Sequence, residues 1–121
     1  MPDYETPKSH GAYSLSRRAG DFIFVTGQTG RDEGLKIVGH TMAIQTEQAI
    51  SNVERILKGD GATLADVVKA TIHLSDLALW QEFNDAYAAR FEDPRPARVT
   101  VECGLAPGIL VEIDVIAYTG D

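Results

Sequence analysis

Ile109-Leu110-Val111-Glu112-Ile113-Asp114-Val115-Ile116-Ala117-Tyr118 is the most apolar stretch of this chain, and half of its residues are β-branched. Such a run predicts a strand that meets apolar surroundings on both faces. Asp21-Phe22-Ile23-Phe24-Val25-Thr26 has the same character and runs into Gly27-Gln28-Thr29-Gly30, so it predicts a second buried strand ending in a loop. These two strands set the architecture, and the rest of the chain has to cover them.

Between them, Leu35-Lys36-Ile37-Val38, flanked by Gly34 and Gly39, predicts a turn and a short strand within residues 32–39. From about Thr41 to Lys58 the residues Ala49, Ile50, Val53, Ile56 and Leu57 form one stripe of an amphipathic helix, stopped by Gly59 and Gly61. Residues 67–74 predict a half-exposed strand with Val68, Ala70, Ile72 and Leu74 on one face and Lys69, Thr71 and His73 on the other. Ser75-Asp76 offers the cap of a second helix carrying Trp80, Phe83, Tyr87 and Phe91, which Asp93-Pro94 ends. Strands at Arg98 to Cys103 and about Ile109 to Tyr118 close the order β-β-α-β-α-β-β, with Gly104 to Gly108 as the turn between them. The class is α+β, a mixed sheet packed on one face by two helices.

The length of 121 residues leaves room for one domain, residues 1–121, with no repeat or linker. Two helices cover one sheet face only. The apolar second face then needs a partner, and the economical one is another copy of the chain, so a homo-oligomer is expected.

One cysteine, Cys103, excludes an intrachain disulfide and reads as a buried small hydrophobe in a reducing, cytoplasmic setting. The N-terminus lacks an apolar targeting core, and no apolar run approaches the ~20 residues that span a bilayer. A net charge of −7 repels polyanions, and Arg17-Arg18, the tightest basic cluster, reads as a solvated turn, which argues against nucleic acid. No nucleotide loop, nucleophile elbow or zinc motif occurs, and His10, His40 and His73 have no metal-spaced partner.

Two charges stand inside the last strands. Arg98 shares a strand face with Thr100, and Glu112 sits between Val111 and Ile113. Burial would raise the pKa of such a carboxyl and suit it to proton transfer. The alternative is a structural charge, or a salt bridge between Glu112 and Arg98. Arg98 itself is either an ion-pair member or a two-pronged clamp for a carboxylate.

The segments Gly11-Ala12-Tyr13-Ser14, Val25-Thr26-Gly27-Gln28, Gln45-Thr46, Asn52-Val53, Gly61-Ala62, Asp66-Val67-Val68-Lys69, Phe83-Asn84-x-x-Tyr87, Pro96-Ala97-Arg98 and Val111-Glu112-Ile113 resemble, in order and spacing, the reactive-intermediate deaminase (Rid) family. The resemblance implies a chorismate-mutase-like fold, a homotrimer around a central β-barrel, and active sites between subunits. It implies hydrolysis of enamines or imines such as 2-aminoacrylate to 2-keto acids and ammonia, with no metal and no organic cofactor. In the matched positions Arg98 would bind the substrate carboxylate, aided by the backbone amide of Gly27. Glu112 would activate water and protonate the leaving nitrogen, Tyr13 would line the pocket, and Asn84 would support it. Thr26 and Thr100 stand at substrate-binding positions where many members have serine and imine deaminases of the family have cysteine. Ala12 replaces the usual proline. Trp80 and Tyr87 read as core or interface residues. A non-catalytic module binding small carboxylates is the second reading, and a ribonuclease or translation inhibitor the third.

Overall fold

The computed structural model describes residues 11–120. Five strands, β1 (Ser16–Ala19), β2 (Phe22–Thr29), β3 (Val67–Leu74), β4 (Ala97–Glu102) and β5 (Val111–Tyr118), form one sheet in the order β1-β2-β5-β3-β4. Only the β3–β4 pair is parallel, so the sheet is mixed. The crossover joining that pair contains α2 (Trp80–Ala88), while α1 (Met42–Gly59) lies between β2 and β3 in the chain.

The long helix forms where its apolar stripe requires. Ala49, Ile50, Val53, Ile56 and Leu57 are all buried, packed with Ile23, Val25, Ile72, Val111 and Ile113 in one core cluster. Each of the larger Ile, Val and Leu side chains contributes about 1.5–3 kcal/mol by leaving water. Thr41 caps the helix by accepting from the Ile44 amide at 3.2 Å, and Gly61, at φ 80°, turns the chain out of it.

Several expectations are corrected. Residues 32–39 form no strand beyond a single bridge between Arg31 and Ile37. Asp32 gathers the amides of Gly34 and Lys36 on its Oδ1, which closes this segment into a turn before a ladder can grow. Arg17-Arg18 is not a turn but part of the edge strand β1. Gly20, at φ 60° in the two-residue loop to β2, supplies the positive φ that a type II′ hairpin demands. Val68 is exposed and Val67 buried, because a bulge between Val67 and Lys69 reverses the alternation there. Of the Ser75-Asp76 pair, Asp76 caps the short 3-10 turn Leu77–Leu79 that leads into α2, accepting from the Ala78 amide, while α2 itself has no side-chain cap, and Phe91 lies past its end though still in the core. Cys103 follows the end of β4 and is half-buried.

Both helices lie on one face. The other presents Phe22 and Phe24 from β2, with Val99 and Val101 from β4, to solvent, each more than 40% exposed. In the middle of that open face Lys69, Thr71 and His73 of β3 face Ile116, Asp114 and Glu112 of β5.

Candidate active site

Glu112 belongs to the open face. Val111 and Ile113 on either side of it point into the core, so strand alternation turns Glu112 the other way, half-exposed, above Gly27. A Cβ at position 27 would stand 2.9 Å from the Glu112 carboxyl carbon, so glycine is what lets the carboxylate lie across β2. A bulge between Val25 and Gln28 lifts this stretch out of the ladder. A cavity of about 330 Å³ opens there, lined by Tyr13, Thr26, Gly27 and Glu112, four of the residues expected at the site. Tyr13 is 46% exposed and not part of the core. Among the described residues Glu112 has neither a hydrogen-bond nor an ion-pair partner.

Arg98 belongs to the helix-covered face. Its guanidinium carbon lies 4.7 Å from the ring centre of Tyr87, 5.3 Å from Phe83 and 5.7 Å from Trp80, a box of three rings that favours a cation. Trp80 and Tyr87 were expected only as core or interface residues. Tyr87 is indeed 2% exposed, and both rings also cradle Arg98. Burial pushes the Tyr87 hydroxyl pKa up, opposed by the nearby Arg98 and Arg95. A second, smaller cavity, about 210 Å³, is lined by Asn84, Tyr87, Arg95 and Arg98. No carboxylate stands within 4.0 Å of Arg98 among the described residues, which suits this cavity to an anion.

The salt bridge between Arg98 and Glu112 is therefore excluded within one chain. Arg98 aligns with Ala70, and Ala70 with Val115, so Glu112 is two strands and three residues away on the opposite face. The expected residues fall into two groups: Tyr13, Thr26, Gly27 and Glu112 in one cavity, Asn84 and Arg98 in the other. Thr100 shares the Arg98 face of β4, half-buried, and lines neither cavity. His73 pairs with Glu112 across the β3–β5 ladder, and its Nδ1 is buried without a partner. His40 is exposed, and His10 lies outside the described residues.

Sequence reasoning missed Arg31, Asn52 and Arg55, which line the Glu112 cavity. Asn52 is buried, donating to the carbonyls of Thr29 and Arg31 at 3.1 and 2.8 Å and accepting from Arg55 at 2.6 Å. The one signal available was a polar residue in the apolar stripe of α1.

A mixed five-stranded sheet with two helices on one face, an apolar open face and a charged cavity on each side defines a class of small α+β proteins. The comparisons identify it. The model of the family described as Endoribonuclease L-PSP matches residues 4–119, and the chain belongs to this family, also known as Rid/YjgF. It is 41% identical to a RutC family protein of Pyrococcus abyssi over 94% of this chain and 91% of that one. It is 34% identical to the 2-iminobutanoate/2-iminopropanoate deaminase of Bos taurus, over 96% of this chain and 86% of that one. The crystal structure of RidA from Psychrobacter sp. superposes with a TM-score of 0.88 at 32% identity, over 93% of each chain. Relatives from Arabidopsis thaliana and Saccharomyces cerevisiae are described as chloroplastic and mitochondrial. No helix among the described residues is long and apolar enough to cross a membrane.

Proposed function

We propose that this protein hydrolyses small enamine or imine acids to 2-keto acids and ammonia, in sites formed between copies of the chain. The observation that carries this reading is a pair of opposite charges, Arg98 and Glu112, neither of them ion-paired among the described residues, each lining its own cavity on opposite faces of one sheet. Neither cavity alone holds both Arg98 and Glu112. A neighbour docked on the open face, the face that needs covering, brings a second copy's Arg98 towards Glu112. A homotrimer closing its sheets into a barrel is the arrangement the family resemblance implies.

In this site Arg98 of one copy holds the substrate carboxylate in two parallel hydrogen bonds, its planar guanidinium oriented by the three rings. The Gly27 backbone amide of the neighbour adds a donor. Glu112 takes a proton from water as its oxygen bonds to the imine carbon, giving a carbinolamine. Glu112 returns that proton to nitrogen, then accepts the hydroxyl proton as the C–N bond breaks and the C=O bond forms, so ammonia leaves and the keto acid remains. Tyr13 and Thr26 wall the water side and Asn84 the carboxylate side, while Thr100 lies beside Arg98. Protein groups supply every role, so the reaction proceeds without metal or organic cofactor. The net charge of −7 favours small substrates over RNA. Free Cys103 fits a reducing cytoplasm.

The test generates 2-aminoacrylate from serine with a dehydratase and follows pyruvate release. The wild type accelerates release and Arg98→Ala does not. Equal acceleration by both, or none by the wild type with any imino acid, overturns the reading. Calorimetry showing tight, Arg98-dependent carboxylate binding without turnover would make the protein a binding module instead.

A further inference from the structure

We infer that the Glu112 cavity has a second cationic subsite, made by Arg31 with Arg55, and that it selects imino acids carrying an acidic group on the side chain. The inference rests on the imine-hydrolase reading and deepens it. In that reading Arg98 of a neighbouring copy takes the carboxylate next to the imine carbon, and Glu112 takes the water. Arg31 and Arg55 line the same 330 Å³ space and are spoken for by neither step.

Arg31 is the stronger half of the argument. Its Nε is buried without a hydrogen-bond partner, and among the described residues no carboxylate lies within 4.0 Å of its guanidinium. A buried cationic donor left unspent is costly, and a carboxylate entering the cavity relieves that cost. The acids that share the lining do not compete well. Asp32 turns its Oδ1 to the amides of Gly34 and Lys36, and Glu33 is exposed.

Asn52 ties the Arg31 backbone and the Arg55 side chain to one buried amide. Its buried amide holds the Arg31 carbonyl at 2.8 Å while its oxygen accepts from the Arg55 Nη2 at 2.6 Å. Arg17 and Arg18, the other basic pair, play no part: both are on the edge strand, and Arg18 donates to the Asp60 carbonyl and the Thr119 hydroxyl. The lining of one cavity therefore includes both the water-activating carboxylate of Glu112 and the guanidinium of Arg31, a combination complementary to a dicarboxylic imino acid.

The experiment compares two imines made in situ, 2-iminoglutarate from D-glutamate with D-aspartate oxidase and 2-iminopropanoate from D-alanine with D-amino-acid oxidase. Semicarbazide trapping reports the imine that remains. The wild type favours 2-iminoglutarate in kcat/KM. Arg31→Leu lowers that value about 10- to 100-fold and leaves 2-iminopropanoate within about twofold. Arg31→Lys retains most of the preference, which separates lost charge from lost fold. Wild-type preference for 2-iminopropanoate, or an equal effect of Arg31→Leu on both imines, overturns the subsite while leaving imine hydrolysis intact. If neither imine is hydrolysed, the imine-hydrolase reading falls, and calorimetry with 2-oxoglutarate against pyruvate decides the subsite. Tighter 2-oxoglutarate binding that Arg31→Leu abolishes supports it, and equal binding of the two refutes it.

Discussion

Splitting the catalytic pair across two copies predicts that two dead variants restore each other. The register sets the geometry: Arg98 and Glu112 are separated by two strands, ~10 Å, and by three residues along the strand, another ~10 Å, with side chains on opposite faces. Their Cα atoms are thus ~14 Å apart through a sheet, and no small acid spans that within one chain. Arg98→Ala and Glu112→Gln are each expected to lose imine hydrolysis. When the two are mixed by co-expression or by joint refolding, a working site needs Arg98 from a Glu112→Gln copy and Glu112 from an Arg98→Ala copy. Random pairing gives each requirement one chance in two, so roughly a quarter of wild-type activity returns, whatever the number of copies in the ring. Native mass spectrometry on variants of slightly different mass shows whether mixed assemblies form. If they form and stay inactive, the two groups do not meet between copies and the split-site reasoning fails. Activity in either single variant would refute the assigned roles more directly.

Two stability predictions follow from buried polar groups. Gln45 is fully buried, donating to the carbonyls of Gly39 and Gly108 at 2.8 and 2.9 Å and accepting from the Leu110 amide at 2.8 Å. Gln45→Leu breaks all three bonds at about 1 kcal/mol each. Over 121 residues a loss of about 3 kcal/mol lowers the melting temperature by about 12 °C, and calorimetry showing a change under about 3 °C would count against this network. Burial raises the pKa of Asp114, opposed by His73 and then Lys69, so the folded state holds this proton more tightly than the unfolded one. That contribution is complete below the ordinary carboxylate range and is lost as pH rises through the raised value. Asp114→Asn therefore melts above the wild type at about pH 8, and the gap closes towards about pH 4; a gap independent of pH would show that ionisation is not its source.

Much was legible before folding. Periodicity located α1, β2, β3, β5 and the core stripe, because each depends on side chains spaced along one segment. It also pointed to an uncovered apolar sheet face, since alternation along β2 and β5 leaves Phe22, Phe24 and Ile116 opposite the core. Glu112 and Arg98 stood out as charges in strand-like surroundings. What hydrophobic patterning could not reach was the local turn chemistry that breaks or starts a strand. The Asx turn at Asp32 overrode a strand-like pattern, and a glycine at position 20 made a strand of Arg17-Arg18, whose composition carries no strand signal.

The decisive question was which way Arg98 and Glu112 point relative to each other. Alternation ranks residues only within one strand, and says nothing of parity between strands. That parity comes from the parallel pairing of β3 with β4 and the antiparallel pairing of β3 with β5. Tertiary register therefore decided that the pair cannot meet inside one chain, and it placed Arg31 and Arg55, separated by a loop and most of a helix, in the cavity of Glu112.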